Sequence, residues 1–229
     1  MTDATVTNHF WVAGPPLFSS TVLVSSAALE TPNGTLKASC ELFDVDGVKA
    51  QSFKVEFPES EVGILEIEPF ISALKAQGGI LQGHLVVTTR ADTKVMCRLQ
   101  VGNQVDLISE PKTIQSREMG FMPLLLGAKR EHLLVFVNTG ADTSQVVTRL
   151  LYGSRSPEWT TQIPPHGCRV VSLEHEFLST FDDVSWQKSV VQGYLRISPR
   201  AQSSVICQMI ESAPGEIEGQ FLHRSVSAW

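Results

Sequence analysis

Residues Gln82 to Gln100, QGHLVVTTRADTKVMCRLQ, return in altered form at Gln192 to Ile210, QGYLRISPRAQSSVICQMI, an offset of 110 positions. Aligned without gaps, the two share Gln82/Gln192, Gly83/Gly193, Leu85/Leu195, Arg90/Arg200, Ala91/Ala201, Val95/Val205 and Cys97/Cys207. Chance gives roughly one match in such a window, so the chain reads as two like units. Each copy holds two runs in which apolar and polar residues alternate around an Arg-Ala turn, the period of a β-strand with one buried side.

Working outward, the same alternation fills the rest of the first unit. Thr21–Ser25 and Thr35–Phe43 are strand candidates separated by Thr31-Pro32-Asn33-Gly34, and Asp44–Val48 supplies the next turn. Phe53, Val55 and Phe57 alternate again, and Val62–Ile67 follows Pro58. Pro69–Gln77 is the helical stretch, with Gly78-Gly79 as its stop. The second unit repeats the order: Leu133–Val137, a turn at Asn138–Asp142, Val146–Tyr152, and then Trp159, Ile163, Pro164, Cys168, Leu173 and Glu174. At an offset of 106 these six fall on Phe53, Phe57, Pro58, Val62, Ile67 and Glu68, and Phe181–Ser189 holds the extra residues that restore 110. The expected fold is all-β: two tandem antiparallel β-sandwich domains from an internal duplication, with one short helix per unit. The expected boundaries are 1–109 and 121–229, joined by a polar linker at 110–120, with an edge strand in the tail around GQFLH.

Composition narrows the function. Net charge is −6, from 18 Lys+Arg and 24 Asp+Glu, and no basic run could neutralise successive phosphates, so nucleic acid is not an expected partner. The first residues lack the charged and apolar regions of a signal peptide. No apolar run approaches the roughly 20 residues of a membrane span, so the expectation is a cytoplasmic protein without membrane insertion. The 4 Cys show neither zinc-type pairs nor a dense disulfide framework and read as reduced thiols, Cys97 and Cys207 facing inward mid-strand. Neither a phosphate-cradling glycine loop nor a nucleophile elbow occurs, and no cofactor is expected.

The site candidates are few. The six His are scattered, and strand alternation at Glu174-His175-Glu176 would put the imidazole opposite its neighbouring carboxylates. Arg90 and Arg200 recur at the signature turn while Glu68 and Glu174 recur earlier. They read either as an Arg–Glu tie across the sandwich end or as a repeated anion- or partner-binding corner. Trp186 and Tyr194, with Asp182 and Asp183, could form an aromatic platform for a carbohydrate, or could pack or join an interface. Trp159, replaced by Phe53 in the other unit, reads as core or sheet face.

At Asn138-Thr-Gly-Ala-Asp, Val146–Tyr152, Ile163-Pro164-Pro165-His166-Gly167, Val170–Leu173 and Gly193–Gln208, the second unit resembles the sensory rhodopsin transducer family of small bacterial β-sandwich proteins. The resemblance implies a soluble cytoplasmic module that oligomerises through sheet faces and acts by binding. Family members are single units, whereas this chain carries two. The function expected is therefore a non-enzymatic interaction or scaffold protein, forming a homo-oligomer or docking a protein partner through sheet faces or edges. Val86, Met96 and Ile206, apolar on the outward side of the signature strands, favour covered faces. The alternative is a carbohydrate or small-ligand binding module, and a hydrolase assembled from distant residues ranks third.

Overall fold

The computed structural model describes residues 4–26, 34–59, 61–101, 104–109, 112–127, 131–178, 191–212, 222–225 and 227–228. The chain divides into two compact units, Met1–Pro111 and Lys112–Trp229.

Unit 1 runs β1 (Thr5–Ala13), β2 (Phe18–Ser26), β3 (Thr35–Phe43), β4 (Lys49–Pro58), β5 (Gly63–Glu66), α1 (Glu68–Ile71), β6 (Ala76–Gln77), β7 (Ile80–Arg90), β8 (Thr93–Val101) and β9 (Gln104–Ser109). Sheet I has the order β1-β7-β3-β4, with β6 beside β7, and sheet II the order β5-β2-β8-β9. All pairings are antiparallel. Alternation in β3 buries Leu36, Ala38, Cys40 and Leu42 with Phe10, Val12, Leu85 and Val87 of sheet I and Val22, Val24, Val95 and Cys97 of sheet II. The core is therefore the layer between two sheets.

Unit 2 runs β10 (Thr113–Gln115), β11 (Gly120–Leu126), β12 (Glu131–Asn138), β13 (Ser144–Leu151), β14 (Glu158–Ile163), β15 (Cys168–Ser172), α2 (Leu173–Leu178), β16 (Val191–Pro199), β17 (Ser204–Ser212), β18 (Leu222–Ser225) and β19 (Ser227–Ala228). Sheet III has the order β10-β17-β12-β15, with β18 also on β17, and sheet IV the order β14-β13-β16-β11-β19. One cluster from both sheets forms the core, including Met122, Leu134, Phe136, Leu150, Leu195 and Cys207.

The strand order of sheet I returns in sheet IV as β11-β16-β13-β14, and that of sheet II in sheet III as β15-β12-β17. Register follows. Leu42 lies opposite Leu85 as Leu150 lies opposite Leu195, and Val22 opposite Cys97 as Phe136 opposite Cys207. The repeated glycine has a steric reason: a Cβ on Gly83 would stand 2.3 Å from the Phe43 carbonyl oxygen, and one on Gly193 3.2 Å from that of Leu151.

Three sequence expectations are corrected. The helix expected over Pro69–Gln77 ends at Ile71. Gly78 and Gly79, with φ of +59° and +79°, make a two-residue turn that pairs Ala76–Gln77 with Ile80–Leu81. A glycine pair with positive φ at both positions suits a tight hairpin as well as it suits a helix stop. The expected linker 110–120 contributes β10, whose Ile114 is fully buried beside β17. Glu174, His175 and Glu176 belong to a helix, not a strand. The Ser172 hydroxyl accepts the His175 N–H at 3.3 Å and two carboxylates occupy the first turn, both favourable at a helix N-terminus.

A buried amide joins the two sheets of unit 2. Asn138, fully buried at the end of β12, donates from Nδ2 to the carbonyls of Asp142 (2.7 Å), Ile163 (3.1 Å) and Pro164 (2.9 Å). Its Oδ1 accepts from the Gly140 N–H and the Ser144 hydroxyl, both at 2.9 Å. Asn138→Ala strips partners from several buried groups and should lower the unfolding free energy by about 2–4 kcal/mol, read from the urea midpoint. Asn138→Asp keeps the acceptor, loses the donor and should also destabilise.

Candidate functional site

The pleat of β16 decides what unit 2 presents outward. With Leu195 and Ile197 buried in the core, Tyr194, Arg196 and Ser198 project from the other side of sheet IV. Register sets their neighbours. Tyr194 lies between Leu151 and Pro123, and Arg196 between Arg149 and Phe121. Arg149 in turn lies opposite Glu158 on β14. Tyr194 is 47% exposed and Leu125, on the same side of β11, 38%. Beyond the strand end, the Arg200 N–H donates to the Gln145 carbonyl at 2.8 Å, and its exposed side chain lines an open hollow with Thr143, Gln145 and Gln162.

The charges on this face are unequal. Arg149 donates from Nε to Glu158 Oε2 at 3.0 Å, and a second bond joins the same groups. Arg149 holds the Glu158 carboxyl below the ordinary carboxylate range, chiefly through that hydrogen bonding, and the charges of Arg196 and Arg200 add to the effect. Three guanidinium groups thus act on one carboxylate. The Nε of Arg196 is buried and has no hydrogen-bond partner among the described residues.

In unit 1, Arg90 is engaged locally, with Nη2 bonded to Glu59 Oε1 at 2.8 Å and Nε to Asp92 Oδ1 at 2.6 Å. The bond from Arg90 is the main cause holding the Asp92 carboxyl below its ordinary value. Arg90 also borders a groove of about 490 Å³ lined by Thr5, Lys37, Ser39, Lys54 and Thr88. The expected tie to Glu68 or Glu174 is replaced. Glu68 opens α1, and Glu174 accepts the His132 N–H at 2.8 Å and pairs with His132 Nδ1 at 2.5 Å. Arg90 and Arg200 therefore share a sequence position without sharing partners. Trp186, Asp182 and Asp183 lie outside the described residues, so of the aromatic platform only Tyr194 is placed.

Sheet II has a different outer face. Ile64, Leu23 and Met96 stand in one register row across β5, β2 and β8 that reaches Ser109 on β9, while Leu107 and Val105 on β9 lie opposite Arg98 and Gln100 of β8. Ile64 is 61% exposed, Leu107 and Val105 53% each. Val86 and Ile206, read from the sequence as outward, are buried, and Met96 is half-buried.

Buried groups that the sequence did not pair also meet. His9 Nδ1 and His84 Nε2 are 2.9 Å apart, and the Trp11 indole donates to Gln82 Oε1 at 2.7 Å. Antiparallel pairing of β1 with β7 brings these together, a relation that no spacing within the chain reveals. Among the described residues, no group of three or more His, Cys, Asp or Glu is placed to hold a metal ion. No helix among them is long and apolar enough to cross a membrane. Trp159 packs against the unit 2 core, and Phe53 stacks on Phe70 at 4.2 Å, the two lying opposite Thr148 and Cys40 in equivalent strands.

No protein-family model and no curated protein matches the chain. Two solved structures are similar at a low level. One is a β-glucuronidase of Bacteroides uniformis, at 6% identity and a TM-score of 0.19, covering 99% of this chain and 26% of that one. The other is a structure of infectious bursal disease virus, Gx strain, at 10% identity and a TM-score of 0.20, covering 97% and 56%. The chain thus spans about a quarter of the first protein and a little over half of the second. Likeness at this level assigns neither fold nor activity.

All four cysteines are buried, and none is in a disulfide. Burial pushes the Cys40 thiol up to about 11 and Cys97 up to about 12, and raises Cys207 further. At pH 8 the thiolate fraction of Cys97 is on the order of one in ten thousand. The folded protein should therefore leave Ellman's reagent unreacted at pH 8, whereas the urea-unfolded chain should titrate all 4 thiols.

Proposed function

We propose that this chain is a non-enzymatic cytoplasmic interaction or scaffold protein. In this reading it is a duplicated pair of β-sandwiches, each with one short helix, that assembles with itself or docks a protein partner through sheet faces or edges. Duplication is supported by the shared strand order and by the matched pairs Leu42–Leu85/Leu150–Leu195 and Val22–Cys97/Phe136–Cys207. The resemblance to sensory rhodopsin transducer proteins points the same way.

One observation carries the functional reading: the outer face of sheet II. Single exposed apolar residues are ordinary on any protein surface. Ile64, Leu107 and Val105 differ because they stand on the same side of one sheet as Leu23 and Met96, Ile64 in a direct row with those two and Leu107 and Val105 opposite Arg98 and Gln100, which concentrates exposed apolar side chains on one face. Such surfaces are characteristic of association sites. A second reading, a carbohydrate or small-ligand module, draws on the exposed ring of Tyr194.

Ile64→Glu with Leu107→Glu places charge on this face without entering the core, so the melting temperature should move by no more than a few degrees. Native mass spectrometry of the tagged protein recovered from its host should show a second copy or a protein partner at whole-number stoichiometry, lost in the double variant. Assembly unchanged by both substitutions would sink this reading. A bare monomer carrying a small co-purified mass would transfer the assignment to the ligand-binding module.

A further inference from the structure

We propose that the outer face of sheet IV docks an acidic peptide segment whose sheet-facing side chains, at every second position, are alternately carboxylate and apolar. Its carboxylates pair with Arg196 and Arg200, and its apolar side chains lie against Tyr194, Phe121 and Leu125. The proposal rests on the interaction reading and names the chemistry of the partner.

Charge imbalance is the first argument. Arg149 and Arg196 are direct cross-strand neighbours, an arrangement that costs stability unless an anion offsets it. Glu158 serves Arg149, while Arg196 Nε is buried without a hydrogen-bond partner among the described residues. A protein of net charge −6 thus gathers three guanidinium groups around one carboxylate. Guanidinium forks match carboxylates in shape and bind them in two-bond pairs.

Spacing is the second argument. Arg196 and Arg200 are four positions apart along an extended stretch, roughly 13 Å. Carboxylates four residues apart in an extended peptide laid along β16 span the same distance. The apolar neighbours are the third. Phe121 flanks Arg196, Pro123 flanks Tyr194, and Leu125 continues the same side of β11. A polyphosphate chain would want further cations in those places, whereas a peptide whose facing side alternates acidic and apolar side chains finds a partner for each.

The probe is a fluorescein-labelled octapeptide of two Leu-Ser-Glu-Ser repeats, which turns Leu and Glu to one side with the carboxylates four residues apart, followed by anisotropy with the full chain. Binding is expected at roughly 0.1 M salt, where the Debye length is about 10 Å, with marked weakening at roughly 1 M, where it is about 3 Å. Arg196→Gln and Arg200→Gln should each weaken binding about three- to tenfold, and the octapeptide with Gln in place of both Glu should bind at least about tenfold less tightly. Lys54→Gln, an equal charge change on unit 1, should have no effect. Each variant is checked for native circular dichroism, and Arg200→Gln, at an exposed position past the strand end, preserves the test if Arg196→Gln fails to fold.

Equal binding of the Gln-substituted peptide, indifference to both substitutions, absence of saturable binding, or binding of tri-galacturonate in place of the peptide would each overturn the proposal. Loss of the peptide result with the sheet II assembly intact would remove this inference alone. Loss of that assembly with peptide binding intact would remove the sheet II reading and leave this face standing.

Discussion

The side chain of Asn138 is the constraint on which unit 2 depends. An amide has two donor hydrogens and an acceptor oxygen, and here they serve five partners drawn from β13, the β12–β13 turn, the end of β14 and the β14–β15 connection. Because β12 belongs to sheet III while β13 and β14 belong to sheet IV, one buried group fixes the distance between the layers at that end. Hydrophobic burial is not directional and holds sheets together without choosing their relative placement. The amide supplies the choice. In a low-dielectric interior, a network of this kind is rigid when complete and costly when partly broken.

With the layers fixed, the pleat determines the rest. Each central strand must turn one side to the core, so the composition of its other side is free to change between units. The buried pairs of β7 and β3 have counterparts in β16 and β13, while the residues on the other side of the strand differ: buried Val86 in one unit, Arg196 in the other. Like cores with unlike faces are what a fold gives when packing constrains only alternate positions. The outer side of sheet II gathers exposed aliphatic side chains, and that of sheet IV mixes arginine with aromatic and apolar groups.

This division also explains what was legible beforehand. The repeat, the strand alternation, the buried cysteines and the equivalence of Phe53 with Trp159 were readable because each is a local pattern or a fixed offset. The capped helix at α2 was also written locally, in Ser172 and the two following glutamates, but the apolar alternation of Val171 and Leu173 favoured a strand. The turn at Gly78-Gly79 carried two compatible meanings, and only pairing between Ala76–Gln77 and Ile80–Leu81 decides between them. The site was less legible than the fold. Tyr194 and Arg200 were singled out, but Arg149 and Arg196 were not, because their meeting depends on the register of β13 against β16. The His9–His84 and His132–Glu174 pairs join residues far apart in sequence, and no spacing rule could bring them together.

The matched thiols have a consequence for watching the molecule move. Cys97 and Cys207 occupy equivalent core strands in the two units, each sealed from solvent and neither engaged in a disulfide. A small alkylating agent can reach such a sulfur only during a transient opening of the surrounding sheets, so the labelling rate measures how often that opening occurs. Nature has thereby placed one reporter at the same address in each half of the chain, and the difference between their rates is a direct comparison of how firmly two versions of one architecture stay closed.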